Sequence, residues 1–106
     1  MATAKIQQTY VNQSADFETD SIDVDLFRYV CAQITAVNDS SLNGHVLVQV
    51  SNDKVNWVDV TDTDVDINTS SPVVFYDFVT GASYLRLVFN ITSGSSDFDV
   101  KYTLKS

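Results

Sequence analysis

Residues 84–91, YLRLVFNI, carry the pattern that most constrains this chain. Leu85, Leu87, Phe89 and Ile91 alternate with Tyr84, Arg86, Val88 and Asn90. A period of two places the first set on one face of a β-strand and the second set on the other. Phe98, Val100, Tyr102 and Leu104 keep the same phase, and Val46, Val48 and Val50 alternate with His45, Leu47 and Gln49. No long apolar stripe of helical period competes with this, and Val, Thr, Ile, Tyr and Phe are plentiful where alanine is scarce. The reading is all-β and antiparallel, with one wet face per sheet.

Strands are expected at Ala4–Val11, near Thr19–Val24, at Tyr29–Val37, His45–Ser51, Trp57–Val60, Val65–Ile67, Val73–Phe78, Tyr84–Ile91 and Phe98–Leu104. Polar clusters separate them, and turns are expected at Asn38–Gly44, Ser51–Lys54, Thr80–Ser83 and Thr92–Asp97. Pro72 suits the start of a strand. About eight short strands at roughly ten-residue spacing argue for an antiparallel β-sandwich or jelly roll, with a small closed barrel as the alternative. Residues 1–106 read as one domain, with 1–15 as an N-terminal arm or edge strand.

Composition narrows the partners. Of 106 residues, 44% are hydrophobic and 19% charged, enough for one core without staples. Acids outnumber bases 14 to 6, giving a net charge of −8. Lys5, Arg28, Lys54, Arg86, Lys101 and Lys105 form no basic run. Nucleic acid and anionic membrane surfaces are therefore not expected partners. Cys31 is the single cysteine, which excludes an internal disulfide and fits a reducing compartment. No apolar stretch approaches the roughly 20 residues that cross a bilayer, and MATAKIQQTY lacks the apolar core of a secretory signal. Synthesis and assembly in the cytoplasm are expected.

The chemistry-bearing residues do not assemble into a recognisable catalytic set. Cys31 and His45 are one possible nucleophile and base, but both fall within strands without a flanking motif. Cys31 reads as a small core residue and His45 as a strand-edge surface residue. Asp62, Asp64 and Asp66 alternate and would share one face of an extended segment, as hard ligands for Ca²⁺ do. A calcium loop beginning at Asp62 would need Gly and Glu where Ile67 and Val73 stand, so a solvated loop is the plainer reading. Asp20, Asp23 and Asp25 form a weaker cluster, and carboxylate pairs suited to glycoside hydrolysis are too common in this composition to be informative. Trp57 and the tyrosines could face a sugar, although aromatic residues in so small a domain more often fill a core or an interface. Trp57 is out of phase with Val58 and Val60, which points it away from the main apolar layer. Arg86, mid-strand between Tyr84 and Val88, reads as a ladder residue paired to a cross-strand acid or as an interface anchor. No enzyme activity and no cofactor are expected.

Two segments then matter together: VLVQVSNDKVNWVDV, Val46 to Val60, and YLRLVFNITSGSSDFDVKYTLK, Tyr84 to Lys105. A strand leads into Ser-Asn-Asp and Asn-Trp, and later come Tyr-x-Arg, Thr-Ser-Gly and a last strand ending in Lys. This order, with IDVDLFRYVCAQITAV upstream, resembles a family of small β-sandwich virion proteins of tailed bacteriophages, over about residues 20–105. The same landmarks are similar to the discoidin-like (F5/8 type C) jelly roll, a carbohydrate- or lipid-binding fold whose ligand loops lie elsewhere. The sequence departs from both at Lys54, where glycine usually follows the Asp. If position 54 needs a positive φ, lysine there costs on the order of 1 kcal/mol.

The resemblance implies a virion structural protein, foremost a capsid decoration or cement protein that binds at capsomer joints. Its expected partners are the major capsid protein or other virion proteins and further copies of itself. Head-fibre, spike, neck or baseplate components and a carbohydrate-binding module for host attachment are the alternatives. Lys54, Trp57 and Arg86 are the candidate contact residues.

Overall fold

The computed structural model describes residues 3–60, 63–67, 73–79 and 82–106, with the backbone alone at 38–40 and 73–79. Among the described residues eight antiparallel strands follow one another: β1 (Thr3–Gln13), β2 (Phe17–Glu18), β3 (Ile22–Asp23), β4 (Tyr29–Ser51), β5 (Val58–Asp59), β6 (Val65–Ile67), β7 (Val73–Val79) and β8 (Tyr84–Lys105). Among the described residues there is no helix. The expected all-β antiparallel sandwich is the observed fold.

Two strands build both layers. β4 has 23 residues and β8 has 22. Fully extended at about 3.3 Å per residue, each would exceed 70 Å, yet the longest dimension of the molecule is 40 Å. Both must bend, and they bend together, because they pair with each other from Tyr29↔Lys105 to Ser51↔Tyr84. The register shifts fall between Val37 and Gly44 on β4, opposite Ile91 to Asp97 on β8. Ser41 (φ 51°) and Gly94 (φ 77°) take left-handed backbone at this corner, as bulged, sharply twisting ladders require. Gly44 meets a different demand: a Cβ there would lie 2.3 Å from the Asn90 carbonyl oxygen of the facing strand.

The corner divides the sheet into layers. In the first layer, the later half of β8 is flanked by β1 and the early half of β4, and β7 lies beyond β4. In the second, the early half of β8 is flanked by β2 and β3, and the later half of β4 by β5 and β6. The alternating rows meet between them. Val30, Ala32, Ile34, Val100, Tyr102 and Leu104 come from the first layer and Val46, Val48, Leu85, Leu87 and Phe89 from the second, all buried. Phe17 stacks on Phe89 with centroids 4.6 Å apart, and Phe98 closes on Phe89 across the layers at 4.8 Å. Such pairs add about 0.5–1.5 kcal/mol each beyond their buried area.

Hydroxyls complete the ladder where strands are interrupted. Between β2 and β3, Thr19 donates its backbone N–H to Leu87 O (2.9 Å) and accepts the Leu87 N–H on its own Oγ1 (3.0 Å). Between β5 and β6, Thr63 Oγ1 accepts from Val48 N (3.0 Å) and donates to Val60 O (2.8 Å). Both threonines are buried, so these bonds satisfy backbone groups that water cannot reach. The Tyr102 hydroxyl is buried beside the Thr19 side chain without a well-formed hydrogen bond among the described residues, and burial pushes its phenol above the usual range.

Several expectations need correction. The turns expected at Asn38–Gly44 and Thr92–Asp97 are not chain reversals; they are the facing corners of β4 and β8 and pair with each other at Ser40↔Ser95 and Asn43↔Ser93. The expected short strands on either side are thus halves of longer ones. Cys31 is not a core residue: it is half-buried on the outer face of the first layer, because its neighbours Val30 and Ala32 take the inward phase. β1 forms the edge of the first layer. Asp62, Pro72, Thr80 and Gly81 lie outside the described residues.

Candidate interaction face

The segment after β4 is a self-capped turn. Ser51 Oγ accepts the N–H groups of Asp53 (3.1 Å) and Lys54 (3.0 Å) and donates to Asp53 Oδ1 (2.9 Å). Asp53 in turn accepts from the N–H groups of Val55 (2.9 Å) and Asn56 (2.8 Å) and from Asn56 Nδ2 (2.9 Å). This is the usual work of Ser, Asn and Asp in turns, with side chains taking the place of a backbone partner. The donated N–H groups of Asn56 and Val55, then the Asn56 amide and Ser51 hydroxyl, hold the Asp53 carboxyl far below the ordinary carboxylate range. Asn52 Oδ1 accepts from Ser83 N (3.1 Å), which fastens the turn to the start of β8.

The turn places Lys54 in left-handed backbone, with φ at 63°. Its ammonium then lies over the Tyr84 ring, 4.6 Å from the centroid. Two residues along β8 on the same face, the Arg86 guanidinium lies 4.2 Å from the centroid of Trp57. Arg86 is aligned from both sides. Its Nε donates to Gln49 Oε1 (2.9 Å), Gln49 Nε2 donates to Asp59 Oδ1 (2.8 Å), and Glu18 Oε1 lies 4.0 Å from Nη2. Each cation–ring contact contributes on the order of 0.5–1 kcal/mol at a partly exposed site.

The structure therefore brings Lys54, Trp57 and Arg86 together on the outer face of the second layer, and adds Tyr84, Gln49 and Asp59. Trp57 shares a phase with Asp59, as its alternation with Val58 and Val60 implies. Gln49 and Tyr84 were not singled out from the sequence. Their signal lies in the β4–β8 register, where Gln49 faces Arg86 and Ser51 faces Tyr84. The acid expected across from Arg86 is replaced at the cross-strand position by Gln49, and Glu18 supplies the charge from the other side.

The other candidates separate. His45 stands on the outer face of the second layer, its Nδ1 2.7 Å from Asp64 Oδ1, while Cys31 is on the outer face of the first. They do not form a pair. Asp66 faces His45 in register. Among the described residues, no group of three His, Cys, Asp or Glu side chains is placed to hold a metal ion. The outer face of the first layer carries a shallow depression of about 490 Å³ lined by Lys5, Ile6, Gln7, Cys31, Gln33, Lys101, Tyr102 and Thr103. No helix of the described chain is long and apolar enough to cross a membrane.

The architecture, a β-sandwich in which two long bent strands run through both layers, has solved counterparts. The PBSX exported protein XepA superposes with a TM-score of 0.71 over 95% of this chain at 12% identity; the match spans 37% of XepA. The SPBc2 prophage-derived protein YomS matches along 100% of this chain and 96% of its own, with a TM-score of 0.61 and 17% identity. A protein of the Bacillus endospore appendages, described as disulfide-linked pili, matches over 98% of this chain and 87% of its own (TM-score 0.57, 10% identity). No protein-family model and no curated protein sequence matches the chain. At these identities the likeness establishes a shared fold.

Proposed function

We propose that the chain is a bacteriophage virion structural protein, foremost a decoration protein that adheres to the shell at capsomer joints. The observation that carries this reading is the outer face of the second layer, where Lys54, Trp57 and Arg86 are immobilised by stacking and hydrogen bonds rather than gathered into a catalytic pocket. Arg and Trp are the residue types that anchor interfaces, and here each is oriented by the other and by Gln49, which lowers the cost of ordering them on binding. The fold shared with a prophage-derived protein along nearly its whole length supports the reading. Stable attachment needs about 800 Å² per partner, roughly one-seventh of the 5906 Å² surface.

The test is the composition of purified particles. The protein should be present in symmetry-related copies, and Trp57→Ala with Arg86→Ala should remove it from particles while the variant remains folded in solution. Absence of the wild-type protein from particles would overturn the proposal. A dozen copies or fewer per particle would instead indicate a fibre, spike, neck or baseplate component.

A further inference from the structure

Charge is unevenly placed on this acidic molecule. Three of its four lysines, Lys5, Lys101 and Lys105, stand on the outer face of the first layer. Lys101 and Lys105 are four residues apart on β8, about 13 Å at about 3.3 Å per residue. Lys5 faces Thr103, midway between them on the neighbouring strand. None of the three forms an ion pair among the described residues. Among the described side chains, the acids on this face are Asp97 and Asp99, toward the corner, where they accept from Asn12 N and the Thr9 hydroxyl.

The opposite charge sits on another edge. Residues 16–25, DFETDSIDVD, hold five acids and no base. They form the β2–β3 edge of the second layer, where Asp20 N donates to the Tyr10 hydroxyl and Asp20 O accepts from Gln8 Nε2. Glu18 is in register with Val88 and Asp23 with Tyr84, four positions apart on β8. That separation is again about 13 Å, and exposed Asp20 lies between them in sequence.

From this match we propose that a second copy of the chain seats its acidic β2–β3 edge, through Glu18, Asp20 and Asp23, on the Lys5, Lys101 and Lys105 face of the first. The depression beside Lys5 and Lys101 gives the incoming carboxylates room. The net charge of −8 does not forbid this, because at physiological salt charges act over about 8 Å and the apposed patches dominate. The two surfaces differ, so the contact is heterologous and propagates into a ring or a row. It uses the edge of the second layer and borders the Lys54–Trp57–Arg86 face, since Glu18 Oε1 lies 4.0 Å from Arg86 Nη2 and Asp23 faces Tyr84 in register. It rests on charge placement alone and stands or falls separately from the virion reading.

Sedimentation velocity of the full chain tests it with three proteins. Wild type should self-associate at about 0.1 M salt and weaken by about tenfold or more at about 1 M, as the screening length falls from about 10 Å to about 3 Å. The triple variant Lys5→Glu, Lys101→Glu, Lys105→Glu and the triple variant Glu18→Lys, Asp20→Lys, Asp23→Lys should each lose the native contact. Mixed together, they should associate, because each supplies the complement of the other. Circular dichroism confirms that each variant is folded, and single charge reversals at Lys101 and Asp23 replace any triple variant that is not. A wild type that stays monomeric at low salt, association insensitive to salt, or charge variants that associate alone as wild type does would each overturn the proposal.

Discussion

Lys54 shows one cost and one gain at a single residue. Its φ of 63° suits glycine, and its ammonium rests on Tyr84. Relief of the backbone strain is worth on the order of 1 kcal/mol, and the ring contact about 0.5–1 kcal/mol. Lys54→Gly should therefore stay within about 0.5 kcal/mol of wild type, whereas Lys54→Ala keeps the strain, loses the ring and should fall about 0.5–1 kcal/mol below; urea unfolding separates them. Asp53 makes the turn acid-sensitive. Its carboxyl is depressed in the folded chain, so its contribution is present above the unfolded value of about 3.9 and is lost as pH falls toward the folded value. The advantage of wild type over Asp53→Asn in urea midpoint should accordingly shrink below about pH 4. Tyr102→Phe removes a buried hydroxyl that lies beside the Thr19 side chain and should leave stability within about 1 kcal/mol of wild type; a larger loss would show a strong hydrogen bond there. The oddness of Lys54 and the phase of Trp57 were legible in the sequence. The roles of Gln49 and Tyr84 were not, because they depend on which residues of β4 and β8 face each other, and alternation within one strand carries no register between two.

At the scale of elements, the apolar rows of β4 and β8 were legible because burial of one face enforces strict alternation. The continuity of these strands was not. NDSSLNG and TSGSSD have the composition of turns, and an isolated polar cluster looks the same whether it reverses the chain or bends it. Here the two clusters fall at the same height of one ladder and pair across it. Gly44 is the residue on which that arrangement rests, since any side chain would collide with the Asn90 carbonyl. Gly44→Ala should cost about 1–3 kcal/mol by forcing the strands apart, read as a lowered urea midpoint. An unchanged midpoint would show that the corner is looser than described.

For the molecule as a whole, the bent ladder separates two outer faces of different character. One carries most of the lysines; the other carries the Trp57–Arg86 and Lys54–Tyr84 pairs, with the acidic edge alongside. The sequence showed six scattered bases, and only the folding of β8 across both layers sorts them, placing Arg86 on one face and Lys101 and Lys105 on the other. A shell-binding protein needs one such face for the shell and benefits from a second for its neighbours. The direct measurement is a density map of the purified particle at a resolution that orients the sandwich. The account predicts ordered copies at capsomer joints, with the face bearing Lys54, Trp57 and Arg86 against the shell. Particles that lack the sandwich, or that hold it with this face turned to solvent, would contradict it.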